Sequence, residues 1–327
     1  MDRAFVTGAT GFVGSTLVDD LLRKGIKVKC AVRKTSSLRW LEGKDVETDL
    51  VDLMDPDDIA RSMEDCRYVF HLAGTLFAGS EKEYIEGNIR STAHMVEAAL
   101  RHRKSIKRFV YVSTIIAAGA SSTGKPMTES DDCTPFSWYG KSKFEAEKYI
   151  LGFKDKLPVT IIRPGAVYGP RDYAMFASFK LSRTGINIIL GERNKVGSVI
   201  HVQDLAVGIS AAALSGKAAG EVYFMAHQKP MRQEEFGETV IRAMGKRPFD
   251  VVIPYFLLKI ASSLSEMYSR ISGSKPILNH QKLLELKEPF IVCSSEKAKR
   301  DFGFEASIPL DEGIRSTLQW YRENNWL

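Results

Sequence analysis

The sequence predicts an α/β fold: a doubly wound parallel sheet followed by a smaller, mostly helical carboxyl-terminal lobe. Two observations carry this. Short apolar strands alternate with amphipathic helices over the first half of the chain, and that alternation demands a parallel sheet covered on both faces. The rhythm then breaks at Pro164, Gly165, Gly169 and Pro170, a loop signature.

Arg3–Thr7, Lys27–Val32, Val46–Leu50, Tyr68–Leu72, Phe109–Val112 and Val159–Ile162 read as strands, being short and rich in apolar and β-branched residues. Residues 12–24 carry Val13, Leu17 and Leu21 at helical spacing. Residues 57–63, 82–100 and 138–153 read as further helices. In the lobe, Leu257, Ile260, Ala261, Leu264, Tyr268 and Ile271 form one helical stripe, and Leu310, Ile314, Leu318 and Tyr321 form another. The expected division is a sheet domain over 1–168, with returning segments near 196–226, and a lobe over 169–327.

At 327 residues, the chain is long enough to bury a core without disulfides or metals. Its longest apolar run, Val251–Leu258, is far short of the roughly twenty residues of a spanning helix. The first strand begins at Arg3, which leaves no room for a signal peptide. Cys30, Cys66, Cys133 and Cys293 are scattered with no CxxC pair, so neither a disulfide framework nor a zinc site is expected, and a reducing cytoplasm suits them. The net charge of +6 is spread over both halves. Its densest run, Arg101–Arg108, lacks interleaved aromatics and reads as a solvated loop, not a nucleic-acid surface. His94 and His102 have no partners at metal-ligand spacing, and His71 and His201 read as structural.

Between the first strand and first helix stands Thr7-Gly8-Ala9-Thr10-Gly11-Phe12-Val13-Gly14. Glycines in this turn let backbone N–H groups approach a pyrophosphate, and the helix amino terminus favours that anion. Gly8, Thr10, Gly11, Phe12, Val13 and Gly14 are therefore the expected dinucleotide cradle of a Rossmann-type sheet. The second strand ends in Val32-Arg33-Lys34-Thr35 with no acid to take a ribose 2′-hydroxyl. Two cations suit a 2′-phosphate, so NADP(H) is expected over NAD(H), with Arg33 and Lys34 as its contacts.

Tyr139 and Lys143 lie four residues apart on one helix face. A lysine cation beside a phenol lowers its pKa, so the pair suits general acid–base work.

Seven further stretches stand in order along the chain: Asp52-Leu53, His71-Leu72-Ala73-Gly74, Asn88, Tyr111-Val112-Ser113-Thr114, Tyr139 with Lys143, Arg163 through Asp172, and His201 through Ala206. With the glycine turn they resemble the extended short-chain dehydrogenase/reductase family almost end to end. The resemblance implies that Tyr139 exchanges the proton, that Lys143 binds the nicotinamide ribose, and that Thr114, ahead of its neighbour Ser113, is the catalytic hydroxyl. It implies that Asn88 supports a relay through the lysine. Asp52 and Leu53 would flank adenine, Leu72, Ala73 and Gly74 would line the cofactor path, and Pro164, Gly165 and Val167 would lie near the nicotinamide. Gly74 replaces a common alanine and is expected to open space. Ile115-Ile116 follow Thr114 where sugar-nucleotide dehydratases carry acids, which favours plain hydride transfer.

The apolar neighbours Leu76, Phe77, Ile115, Phe136 and Trp138, with Gly165, suggest a bulky apolar substrate. This is the dihydroflavonol reductase and 3β-hydroxysteroid dehydrogenase branch of the resemblance. The leading expectation is an NADP(H)-dependent oxidoreductase interconverting a ketone and a secondary alcohol on a bulky apolar substrate of steroid, flavonoid or lipid type. A nucleotide-sugar epimerase and a non-catalytic NADP-binding protein are the alternatives. Helices 82–100 and 138–153 are expected to form a four-helix homodimer interface. The 257–271 stripe is expected to face the lobe core, with a weak peripheral membrane contact as the alternative.

Overall fold

The computed structural model describes residues 2–272 and 278–327, without the side chains of Arg270 and Ile271; Ile271 of the expected stripe thus lies outside the described residues. The strands are β1 (Arg3–Thr7), β2 (Lys27–Val32), β3 (Val46–Leu50), β4 (Tyr68–His71), β5 (Arg108–Val112), β6 (Val159–Pro164), β7 (Ala166–Tyr168), β8 (Ile186–Leu190), β9 (Val196–Gly197), β10 (Val199–His201), β11 (Glu221–Met225), β12 (Met231–Arg232), β13 (Phe249–Ile253) and β14 (Phe290–Ile291). The helices are α1 (Phe12–Arg23), α2 (Pro56–Met63), α3 (Glu81–Tyr84), α4 (Ser91–Arg101), α5 (Trp138–Leu151), α6 (Tyr173–Ser182), α7 (Val202–Leu214), α8 (Gln233–Ala243), α9 (Tyr255–Ser272), α10 (His280–Lys287), α11 (Glu296–Phe302) and α12 (Leu310–Glu323).

Seven parallel strands form the main sheet in the order β11-β6-β5-β4-β1-β2-β3. The order reverses direction between β1 and β4, and the crevice at that switch point is where such sheets hold ligands. Side chains alternate across the sheet. Val6, Phe70, Val110 and Ile162 pack with α1 and α7 on one face, and Phe5, Val69, Phe109 and Ile161 pack with α2, α4 and α5 on the other. Segments beyond residue 168 join this body: α7 packs on the sheet, β11 closes the sheet edge on β6, and β10 pairs with β7.

The helix expected over 82–100 is not uniform. Between α3 and α4, Ile85–Arg90 winds as a π-helix, which widens the turn around Asn88. Most of the run 101–108 is exposed, as its composition suggests, with three of its cations engaged. Arg101 pairs with Asp57 and Glu97, Lys107 with Asp2, and the buried Arg108 donates to the Ser215 carbonyl at 2.7 Å.

Helix α9 forms where its periodicity places it but turns the other way from the core expectation. Leu257, Ile260, Leu264 and Tyr268 are exposed, while Leu258 and Ser262 face the protein. Periodicity fixes a stripe, not the direction it faces.

Candidate active site

The turn after β1 needs its glycines. Gly8 has φ +71°, and a Cβ there would lie 2.8 Å from the Ala73 nitrogen. A Cβ on Gly14 would lie 2.1 Å from the Gly8 carbonyl oxygen. The amino terminus of α1 has no side-chain cap at Gly11 and no acid in its first turn. Its N–H groups and positive dipole end are thus free to meet an anion, which fits a dinucleotide pyrophosphate.

The strand ends around this turn are locked together. The Thr7 hydroxyl lies 2.8 Å from His71 Nδ1 and accepts the Ala73 N–H at 3.2 Å, and His71 Nε2 reaches Thr92 at 3.0 Å. Burial, with Lys143 nearby, pushes the His71 pKa down to about 3, so the ring is neutral. Arg33 and Lys34 are exposed just past the end of β2, beside the end of β1. Asp52 is exposed and accepts the Met54 N–H at 2.9 Å, while Leu53 is half-buried.

One residue within the Arg163–Asp172 motif reaches further than the sequence suggested. Arg171 crosses to α1, donating to Ser15 at 3.1 Å and pairing with Asp19 at 2.8 Å, with its guanidinium over the Trp40 ring. It ties the lobe entrance and the β2–β3 loop to the helix that faces the cofactor.

Thr114 stands two residues past the end of β5 and Tyr139 in the first turn of α5, where Ser137 caps the helix by accepting the Gly140 N–H at 3.1 Å. Burial and the Glu285 carboxylate push the Tyr139 pKa above its usual value, against the nearby Thr114 hydroxyl, which favours the phenolate. Ser113 Oγ, by contrast, is buried with no partner. Lys143 is buried too. It donates to the Val112 carbonyl at 2.8 Å and lies 4.0 Å from the Tyr111 ring centroid. Burial lowers its pKa to about 7 against the pull of Glu147.

Asn88 sits in the π-helical turn and is fully bonded. Its Oδ1 accepts the Thr75 N–H at 2.7 Å, and its Nδ2 donates to the Thr75 carbonyl at 3.1 Å and to Ser142 Oγ at 2.9 Å. Ser142 in turn donates to the Tyr139 carbonyl at 2.8 Å. Its direct bonds therefore run to the catalytic helix through Ser142, not to Lys143. Gly74 opens no space. A Cβ there would lie 2.8 Å from Asn88 Oδ1, so the missing methyl is the room Asn88 occupies.

Gly165 follows Pro164 so closely under Ser198 that a Cβ would lie 2.5 Å from that carbonyl oxygen; Val167 is half-buried in β7. Leu76 and Phe77 are exposed, and Phe136 and Trp138 are half-buried. Ile115 differs, packing in a closed cluster with Phe224, Met127 and Cys293.

Helix α10, which no motif marked, reaches the site from the lobe. Gln281 Oε1 accepts the Trp138 N–H at 2.8 Å, and Glu285 accepts the Ser137 hydroxyl at 3.2 Å. Among the described residues no group of three or more His, Cys, Asp or Glu is placed to hold a metal ion, and no helix is long and apolar enough to cross a membrane.

A parallel sheet with a glycine cradle at its switch point and a Thr–Tyr–Lys set on the adjoining strand and helix defines a nicotinamide-dinucleotide enzyme. The chain belongs to the NAD dependent epimerase/dehydratase family, whose model matches residues 4–226, and within it to the extended short-chain dehydrogenases/reductases. A 2-alkyl-3-oxoalkanoate reductase of Shewanella oneidensis is 27% identical over 96% of this chain and 85% of its own length. A 3-beta-hydroxysteroid dehydrogenase of Mycolicibacterium neoaurum is 26% identical over 99% and 92%. A UDP-glucose 4-epimerase of Vibrio cholerae is 28% identical over 98% and 95%. The solved structure described as gox2253 superposes with a TM-score of 0.83 at 25% identity, covering all of both chains.

Proposed function

We propose that this chain is an NADP(H)-dependent oxidoreductase that interconverts a ketone and a secondary alcohol on a bulky apolar substrate of steroid, flavonoid or lipid type. The observation that carries the reading is the Thr114 hydroxyl acting on the Tyr139 phenol, with Ile115 and Ile116 after Thr114 and no acid there for elimination chemistry. Tyr139, held protonated at neutral pH, gives its proton to the substrate oxygen. Thr114 holds that oxygen as charge develops on it. Asn88, through Ser142, fixes the turn of α5 that carries Tyr139. The bound dinucleotide supplies or accepts the hydride.

The Glu285 carboxylate bears on the same phenol. It repels a substrate diphosphate or carboxylate and leaves a neutral ketone untouched. Arg33 and Lys34, with no acid beside them, support the 2′-phosphate preference. The four cysteines, all free, suit a reducing cytoplasm. A homodimer through α4 and α5 completes the proposal. Its outer face carries the pairs Arg90–Glu86 and Lys148–Glu145, and Tyr149 is exposed.

The second reading, a nucleotide-sugar epimerase, is supported by the Vibrio cholerae relative. One experiment separates them. Purified protein is given NADPH or NADH with a panel of apolar ketones, and separately a UDP-hexose. The proposal expects NADPH oxidation with a ketone. Dinucleotide retained through purification, with sugar interconversion and no ketone turnover, makes the epimerase reading right. A preference for NADH of about twentyfold in kcat/KM overturns the cofactor assignment.

A further inference from the structure

Helix α5 carries Tyr139 in its first turn, so whatever fixes that turn fixes the phenol. The first N–H groups of a helix have no partner inside it. A helix that opens on serine commonly meets them with an acid or amide three residues later, in a capping box. Here that position is Gly140, and it takes nothing larger: a Cβ would lie 2.6 Å from the Ile116 carbonyl oxygen. The same close approach packs α5 on the 115–117 turn beside Thr114. The first turn of α5 thus has no acid of its own.

The missing groups come from the lobe. The Trp138 N–H finds its acceptor in Gln281 Oε1 at 2.8 Å, 143 positions away on α10. Glu285, one turn further along the same face of α10, accepts the hydroxyl of the capping Ser137 at 3.2 Å through Oε1. Its carboxylate therefore stands at the positive end of the α5 dipole, where an acid stabilises a helix. Ser137 is fully buried, so water does not compete for its hydroxyl.

Helix α10 is itself tied along its length. Glu266 accepts the His280 N–H at 2.7 Å, the Tyr255 hydroxyl donates to the Leu283 carbonyl at 3.3 Å, and the buried Lys195 donates to the Leu286 carbonyl. Lys282 holds Glu285 Oε2 at 2.7 Å and leaves Oε1 to Ser137. The helix is thus anchored on the lobe while Gln281 and Glu285 reach out of it to the sheet domain. They join the two at the turn where a small shift moves the phenol, and a displacement of about 1 Å at a reacting group costs roughly a hundredfold in rate.

We propose that Gln281 and Glu285 are positioning residues for the reaction at Tyr139: the lobe supplies the cap of the catalytic helix, so the phenol holds its working geometry only with α10 docked on α5. The inference rests on the reading of Tyr139 as the proton carrier and needs no particular substrate. Both side chains act through the first turn of α5. Their loss therefore falls on kcat and leaves dinucleotide affinity nearly unchanged, because the glycine cradle and Arg33 stand on other elements.

The test compares Gln281→Met, which loses the acceptor at nearly the same size, with Gln281→Glu, which keeps it. Glu285→Ala and Glu285→Gln are compared in the same way. Each full-length variant is assayed with NADPH and decalone, an apolar bicyclic ketone, and with UDP-glucose, on whichever the wild type turns over. Amide exchange followed by mass spectrometry reads the first turn of α5 without any substrate. Gln281→Met and Glu285→Ala should lower kcat at least about tenfold and quicken exchange at residues 138–140 severalfold, with melting temperature and NADPH affinity unchanged. Gln281→Glu and Glu285→Gln should recover most of kcat. The proposal is overturned if exchange there is unchanged in Gln281→Met, if exchange quickens while kcat is retained, or if the acceptor-keeping variants recover nothing. Failure of the reading of Tyr139 is distinct: Tyr139→Phe then keeps the wild-type rate, and the proposal falls with it. With Tyr139→Phe inactive, the other outcomes judge the proposal alone.

Discussion

Gly74 and Asn88 share one volume: a Cβ on Gly74 would stand 2.8 Å from Asn88 Oδ1, the atom that accepts the Thr75 N–H. Gly74→Ala forces Asn88 out of the bonds that reach Ser142 and the catalytic helix. We expect a loss of about 1–3 kcal/mol of stability and a roughly ten- to hundredfold fall in kcat with a smaller change in KM. Denaturant unfolding and steady-state kinetics on the same preparation check this; full activity in the variant refutes it.

Glu147 and Arg163 form a buried pair at 2.6 Å that ties α5 to β6. Glu147→Gln leaves a buried guanidinium without its counter-charge and should cost about 3–5 kcal/mol. In a chain of this size that lowers Tm by roughly 6–15 °C. Replacing both residues with similar-sized apolar ones, Glu147→Leu with Arg163→Met, should recover most of the loss. A double variant as unstable as the single one contradicts this account.

Lys143, with its pKa lowered to about 7, is largely neutral in the free protein above that pH. Holding the ribose beside an anionic cofactor restores its charge, so NADPH binding takes up a proton at pH 8. The sign follows from linkage: the bound state holds more protons above pH 7, so Kd rises with pH there, by up to about tenfold per unit. Calorimetry in two buffers of different ionisation enthalpy measures the uptake, and Lys143→Met should abolish it. The same depressed pKa makes the free protein more stable as pH rises from about 7 towards the ordinary lysine value, because the unfolded chain binds the extra proton.

Arg33→Ser should lower kcat/KM for NADPH by about ten- to a hundredfold, the worth of a charge-assisted bond to phosphate, and leave NADH nearly unchanged. Equal losses with both cofactors would show that Arg33 acts on the loop instead.

The strands were legible because each is a short buried run bounded by turn residues, and the observed ends of β1, β2 and β3 coincide with the sequence reading. The glycine turn was legible because its steric demand is local. Three features were not. The π-turn at 85–90 surrounds Asn88, whose bond to Ser142 spans 54 positions. Glu285 meets Ser137 across 148 positions, and nothing near either residue announces the other. The α9 stripe was found by its period, but the side it shows to solvent depends on what α10 leaves uncovered.

The central claim is that Tyr139 delivers the proton in NADPH-dependent ketone reduction. Single-turnover reduction of an accepted ketone by wild type and Tyr139→Phe, with NADPH affinity measured in parallel, tests it. The account predicts a rate at least about a hundredfold lower in the variant, the lower end of the range for loss of a general acid, with the NADPH Kd within about threefold. A variant that keeps more than about one tenth of the wild-type rate contradicts it.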